Sequence, residues 1–136
     1  DIGKMSVPAE ILSKPGKLSE QEFRLIQEHP KVAHEILKGI AFPWAVADII
    51  LQHHERLDGT GYPQALTAED GILLEARILA VSDVVEAMAT HRPYRPALGI
   101  EAALEEIQSN SGTRFDSAVV ETCVDLFVSG EFTLDE

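Results

Sequence analysis

An all-α fold of five or six helices is what this sequence predicts, on three observations. Apolar residues recur at helical spacing along most of the chain, no segment alternates as a strand would, and residues that start and stop helices bracket the periodic stretches. Ser19-Glu20-Gln21-Glu22 has the form of a capping box, and Phe23, Leu25 and Ile26 supply an inward stripe behind it. Pro30 ends that helix and suits the first position of the next, in which Val32, Ala33, Ile36, Leu37 and Ile40 repeat and Gly39 is the terminator. Pro43 opens a third helix, with Val46, Ile49, Ile50 and His53 on or near one face. Residues 55–71 form a long polar loop punctuated by Gly and Pro, and loops of that length inside a domain commonly carry function. A long helix follows from about Leu73 to Thr90, with Leu74, Ile78, Val81, Val85 and Met88 as its core stripe. Ile100, Ala103, Leu104 and Ile107 mark another helix that ends near Gly112. Asp116 caps the last one, whose inner face is Val119, Val120, Cys123, Val124 and Phe127, with Gly130 after it. Residues 1–18 read as irregular, with turns at Pro8 and Pro15-Gly16.

The 136 residues suit one domain, 1–136, and 45% hydrophobic with 25% charged residues is the balance of an ordinary globular protein. One Cys excludes an internal disulfide framework and a Cys-rich zinc site. No apolar run approaches the roughly 18 residues of a membrane span and no signal peptide opens the chain, which points to the cytoplasm. A formal charge of −12 argues against DNA as a partner, since phosphate binding needs Lys and Arg. The basic residues gather before residue 96, and only Arg114 follows. An anionic ligand therefore belongs with the first part of the chain.

Candidates for chemistry sit in that part. His53-His54, at a helix end, can reach a shared point if the helix unwinds after them, and neutral imidazole is a common ligand for transition metals. Asp83 interrupts an otherwise apolar helix, where a carboxylate must be paired, metal-bound or turned to solvent. His29 precedes Pro30 at a helix junction, and Asp1-Ile2-Gly3-Lys4 places an acid and a cation around a glycine. Taken together, His29, His53, His54, Asp1 and Asp83 are the mixed imidazole and carboxylate set from which helical folds build dinuclear metal sites. His34 reads as structural or exposed. His91 precedes Arg92-Pro93-Tyr94-Arg95, where two guanidinium groups suited to phosphate flank a tyrosine.

In order along the chain stand Asp1-Ile2-Gly3-Lys4, Lys14-Pro15-Gly16-Lys17-Leu18, His29-Pro30, and His53-His54-Glu55-Arg56-Leu57-Asp58-Gly59-Thr60-Gly61-Tyr62-Pro63. Ala80-Val81-Ser82-Asp83, Arg92-Pro93-Tyr94-Arg95 and Gly112-Thr113-Arg114-Phe115-Asp116 complete the series. Over nearly the whole chain it resembles the HD-GYP domain, a bacterial subgroup of the HD phosphohydrolase superfamily. The HHE-x-x-DG-x-GYP run is its most specific part. The resemblance implies an HD-domain helical bundle that hydrolyses the second messenger cyclic di-GMP to pGpG, and in some members on to GMP. It implies two or three divalent metal ions, often iron or manganese. Carried over residue by residue, Asp1 would be the acid of the HD pair and bridge two metals. His29, His53 and His54 would hold one of them and Asp83 the other. Lys4 would face the scissile phosphate, making Lys4 and Asp1 the catalytic pair. Arg92, Arg95 and Tyr62 would bind substrate. Gly61, Tyr62 and Pro63 would form the GYP signature, linked in the family to the site and to diguanylate cyclase (GGDEF) domains.

The histidine that precedes the acid in the HD motif, and the N-terminal helices of the bundle, fall outside this sequence. The chain therefore reads as a domain truncated within that motif, the output module of a longer signalling protein with a sensory or receiver domain upstream. Glu86 stands where many members have Asp. Two rival readings remain: a catalytically weak module that binds cyclic di-GMP or a GGDEF domain, and an HD phosphohydrolase of another nucleotide.

Overall fold

The computed structural model describes residues 1–90 and 96–134. His91, Arg92 and Arg95 lie outside the described residues, so the substrate-binding expectation for the two arginines has no structural counterpart here. The α-helices are α1 (Ala9–Leu12), α2 (Glu20–Gln27), α3 (His29–Leu37), α4 (Val46–Gln52), α5 (Leu74–Ala89), α6 (Ile100–Ser109) and α7 (Ser117–Val128). There are also 3-10 turns at Ile2–Ser6 and Ala68–Asp70. Among the described residues there is no strand, only isolated bridges between Asp58 and Thr67 and between Ser111 and Phe115. The all-α expectation holds, with α2 to α7 as its six helices.

The capping residues act as their types dictate. The Ser19 hydroxyl accepts the Glu22 N–H while the Glu22 carboxylate accepts the Ser19 N–H, so α2 opens on a complete capping box. Asp116 accepts from the N–H groups of Ala118 and Val119 at the start of α7. The first residues depart from the expected irregularity. Ile2–Ser6 winds into a 3-10 turn and Pro8 caps α1, because a proline's fixed φ is compatible with a helix start as well as with a turn. The third helix begins at Val46 rather than beside Pro43.

The main core lies in the second half, where Val81 and Val85 of α5, Ala103 and Ile107 of α6, Phe115, and Val120 of α7 bury one another. Ile107 alone contributes about 1.5–3 kcal/mol on the scale of a fully buried aliphatic side chain. The first half packs differently: α3 lies against the 3-10 turn Ile2–Ser6 and against α4. Gly3 makes the first contact possible, since a Cβ there would fall far inside the His29 carbonyl oxygen. Several residues assigned to inward stripes stay exposed: Phe23 and Leu25 on α2, Ile36 on α3, and Leu74 and Ile78 on α5, while Ile40 falls beyond the end of α3. Apart from Ile40 these residues do lie on helices, but an apolar face is buried only where another element covers it. Leu74 and Ile78 instead line an apolar groove with Leu126 and Phe132 between α5 and α7.

Candidate metal centre

Helix ends build the site. His29 opens α3 with one residue between it and the end of α2, and its Nδ1–H donates to the Ile26 carbonyl of α2 at 2.6 Å. His53 repeats the arrangement after α4, with Nδ1–H donating to the Ile50 carbonyl at 2.6 Å. Each imidazole thus bonds a carbonyl in the last turn of a helix, where the intrahelical donors run out. A carbonyl can only accept, so Nδ1 holds the proton in both rings and Nε2 keeps its lone pair, as a metal ligand requires.

The three rings converge. His29, His53 and His54 each offer a nitrogen, and these atoms lie within 4.8 Å of one another. The ring centroids of His53 and His54 are 3.9 Å apart and those of His29 and His54 5.0 Å. The Nε2 atoms of His29 and His54 are buried and, among the described residues, have no hydrogen-bond partner. Buried ring nitrogens of that kind are rare in folded proteins, and a shared cation is the partner that suits converging lone pairs. The donor set therefore fits a divalent transition metal. Burial pushes all three imidazoles below the ordinary histidine range, His54 to about 2, with the positive charge of Lys4 acting in the same direction on each. They stay neutral at physiological pH.

The carboxylates stand at the edge of this cluster. Asp1 Oδ1 is 3.8 Å from His29 Nε2, and Asp83 Oδ2 is 3.9 Å from His54 Nδ1. The Asp83 side chain is 40% exposed, so it resolves the open question about this helix by facing partly outward from α5. Lys4 Nζ donates to Asp1 Oδ2 at 2.9 Å. His34 stays apart from the cluster, with Nε2 3.2 Å from Asp48 Oδ1, in keeping with a structural role.

The loop after α4 roofs the site. The Tyr62 ring stacks on His54 with centroids 4.8 Å apart and planes at 23°, and meets Phe23 of α2 edge-on at 6.0 Å. Burial raises the Tyr62 phenol to about 12, which keeps it protonated. Gly61 is pressed against the backbone of 54–56, where a Cβ would come within 2.4 Å of the His54 carbonyl oxygen. Two contributors were named in the sequence without a role at the site, Glu55 within the histidine-pair motif and Phe23 in an inward stripe. Glu55 is 2% exposed, and its carboxylate accepts N–H bonds from Gln64 and Leu66. Phe23 looked like a core residue and is instead the outer neighbour of Tyr62. An acid embedded between a histidine pair and a Gly/Pro loop was the available signal for Glu55, and for Phe23 there was none.

A family model described as HD domain matches residues 1–119. The chain belongs to the HD domain family. The HD-GYP resemblance is borne out by relatives of this HD domain. The chain is 42% identical over 138 residues to the cyclic di-GMP phosphodiesterase response regulator RpfG of Xanthomonas campestris pv. campestris, covering 100% of this chain and 35% of that protein. It is 44% identical over 120 residues to the cyclic di-GMP phosphodiesterase PA4108 of Pseudomonas aeruginosa, covering 88% and 28%. It is 40% identical over 116 residues to the 3'3'-cGAMP-specific phosphodiesterase 3 of Vibrio cholerae, covering 85% and 25%. The HD domain thus spans about a third or less of the length of these curated relatives. Among the described residues no helix is long and apolar enough to cross a membrane.

Proposed function

We propose that this HD domain is the metal-dependent hydrolytic module of a cytoplasmic signalling protein, cleaving cyclic di-GMP to pGpG and on to GMP. The observation that carries the reading is the convergence of three neutral imidazole nitrogens within 4.8 Å, with Asp1 and Asp83 at its margin. His29, His53 and His54 would hold one metal, Asp83 a second, and Asp1 would serve both. Iron or manganese suits this mixture of imidazole and carboxylate, and two or three ions per domain are expected. Such ions, when bound, supply Lewis-acid charge that activates water and offsets charge on the phosphoryl oxygens.

The chain's own residues divide the remaining work. Lys4, anchored on Asp1, presents its ammonium to a non-bridging phosphate oxygen. Arg92 and Arg95 bind the substrate's phosphates and guanine edges. Tyr62 offers a protonated phenol at the roof of the site and closes it on the α2 side with Phe23. The Gly61-Tyr62-Pro63 segment is also the contact for GGDEF domains, and a sensory or receiver domain in the same protein supplies the signal. A second substrate, 3'3'-cGAMP, is favoured by the similar identity to relatives named for it and to relatives named for cyclic di-GMP.

The test is anaerobic purification of the intact protein, with metal content and hydrolysis of both cyclic dinucleotides measured on one sample. Two or more metals per chain with pGpG or GMP released is the expected result. His53→Ala and His54→Ala should each lose metal and turnover while helical circular dichroism persists. A metallated, folded protein that binds cyclic di-GMP without cleaving it would replace the enzyme reading with the binding-module one. Cleavage of 3'3'-cGAMP alone would reassign the substrate.

A further inference from the structure

We infer that Glu55 is a positioning residue that orients His54 through Tyr62, a role that rests on reading His54 as a metal ligand. His54 differs from its two companions. The rings of His29 and His53 are fixed by Nδ1 bonds to backbone carbonyls, both 2.6 Å long. His54 has no such bond among the described residues: Asp83 Oδ2 lies 3.9 Å from its Nδ1, beyond hydrogen-bond reach. An imidazole that ligates a metal normally has its plane set by a partner outside the site. For His54 that partner is a ring face, the Tyr62 side chain stacked at 4.8 Å and 23°.

The Tyr62 ring is in turn only as well placed as its backbone, and Glu55 holds that backbone. The loop returns over the turn 54–56 through four contacts. Gly61 abuts the His54 carbonyl, Glu55 Cα and Arg56 N. Tyr62 N–H donates to the His54 carbonyl at 3.2 Å. Beyond Pro63, the Gln64 and Leu66 N–H groups bond separate oxygens of the Glu55 carboxylate, at 2.7 and 2.9 Å. A buried carboxylate is costly to desolvate, and here each oxygen is matched to one amide of the segment just past Tyr62. Glu55 is also the next residue after His54, so any displacement of the loop is registered against the ligand's own backbone. A glutamine would keep one acceptor oxygen and set an NH2 against the other amide, breaking one bond without emptying the space.

Cobalt(II) is the probe, because its visible absorption reports ligand geometry as well as occupancy. Affinity and spectrum are measured on the intact protein for wild type, Glu55→Gln, Tyr62→Leu, Tyr62→Phe, the Glu55→Gln/Tyr62→Leu double variant and Asp70→Asn. Asp70 makes bonds to Thr67 N–H and Oγ–H in the same loop without contact to Tyr62, so it controls for general loosening. The expected results are about tenfold weaker binding and an altered spectrum for Glu55→Gln and for Tyr62→Leu, in the range of outer partners of metal ligands. The double variant should be no worse than Tyr62→Leu, Tyr62→Phe should bind as wild type, and so should Asp70→Asn.

Additive losses in the double variant, an equal loss in Asp70→Asn, or wild-type binding by Glu55→Gln would each overturn the assignment while leaving the metal reading intact. A wild-type protein that takes up no cobalt would instead overturn the metal reading, and the role of Glu55 with it. If Glu55→Gln fails to fold, the comparison of Tyr62→Leu with Tyr62→Phe decides whether a ring face orients His54. Equal weakening in both would overturn it.

Discussion

Three imidazoles kept neutral by burial impose a pH signature of their own on the molecule. In the unfolded chain each histidine takes up a proton near its ordinary value of 6.5, whereas in the folded chain His29, His53 and His54 resist protonation. The unfolded state then binds more protons below that pH, so stability rises with pH and falls as the medium is acidified below about 6.5. Thermal melts of metal-free protein between pH 7.5 and 5 should show a falling Tm, and the fall should shrink in His54→Gln, which removes the most strongly depressed of the three. Gly61 makes a second prediction at this scale. The atoms that a Cβ at position 61 would meet are the His54 carbonyl oxygen, Glu55 Cα and Arg56 N, all backbone and unable to rotate aside. Gly61→Ala should therefore lift Tyr62 from His54 and cost about 1–3 kcal/mol, as overpacking does, read from urea midpoints.

At the scale of elements, short-range signals were legible and coverage was not. The Ser19–Glu22 box and the Asp116 cap form as the sequence indicates, because both partners lie within three residues of each other. Ser19→Ala should cost about 1 kcal/mol by denaturant unfolding. Glu22 adds a pH dependence. The Lys14 ammonium, and after it the Ser19 N–H, lower the Glu22 carboxyl to about 2 from an ordinary 4.5. Its contribution is present above pH 4.5 and disappears as pH falls from there toward 2, so Glu22→Gln should flatten the acid limb of the melting curve. By contrast, the stripe through Leu74 and Ile78 could be seen in the sequence, but nothing in a periodicity states which neighbour arrives to cover it. The same holds for Phe23, whose partner Tyr62 is far along the chain. Glu55 stands in the His53-His54-Glu55 run, but its role was hidden for another reason: its partners are backbone amides, which leave no mark on residue type.

The molecule as a whole divides its labour. The second half holds the aliphatic core, and the first half holds the imidazoles; α5 contributes Val81 and Val85 to the former and Asp83 to the edge of the latter. Loop backbone joins the halves as well, through the Leu57 N–H bond to the Arg114 carbonyl at 3.0 Å. Ile107→Ala, at the most enclosed point of the core, should cost about 2–5 kcal/mol in a urea titration. Because the cluster of His29, His53 and His54 lies on other elements, metal stoichiometry at low temperature should survive that change.

Gly3 carries the same division into heredity. Any base change that replaces a glycine introduces a Cβ or a stop, and at position 3 that Cβ would overlap the His29 carbonyl and come within 2.9 Å of Ala33 N. Gly39, with open space around it, faces no such collision. A library of random coding changes, sequenced before and after selection for the folded protein, should lose every missense allele at codon 3 while retaining a spread of them at codon 39. The first turn of the chain is, in that sense, closed to variation by a backbone atom rather than by any side chain it meets.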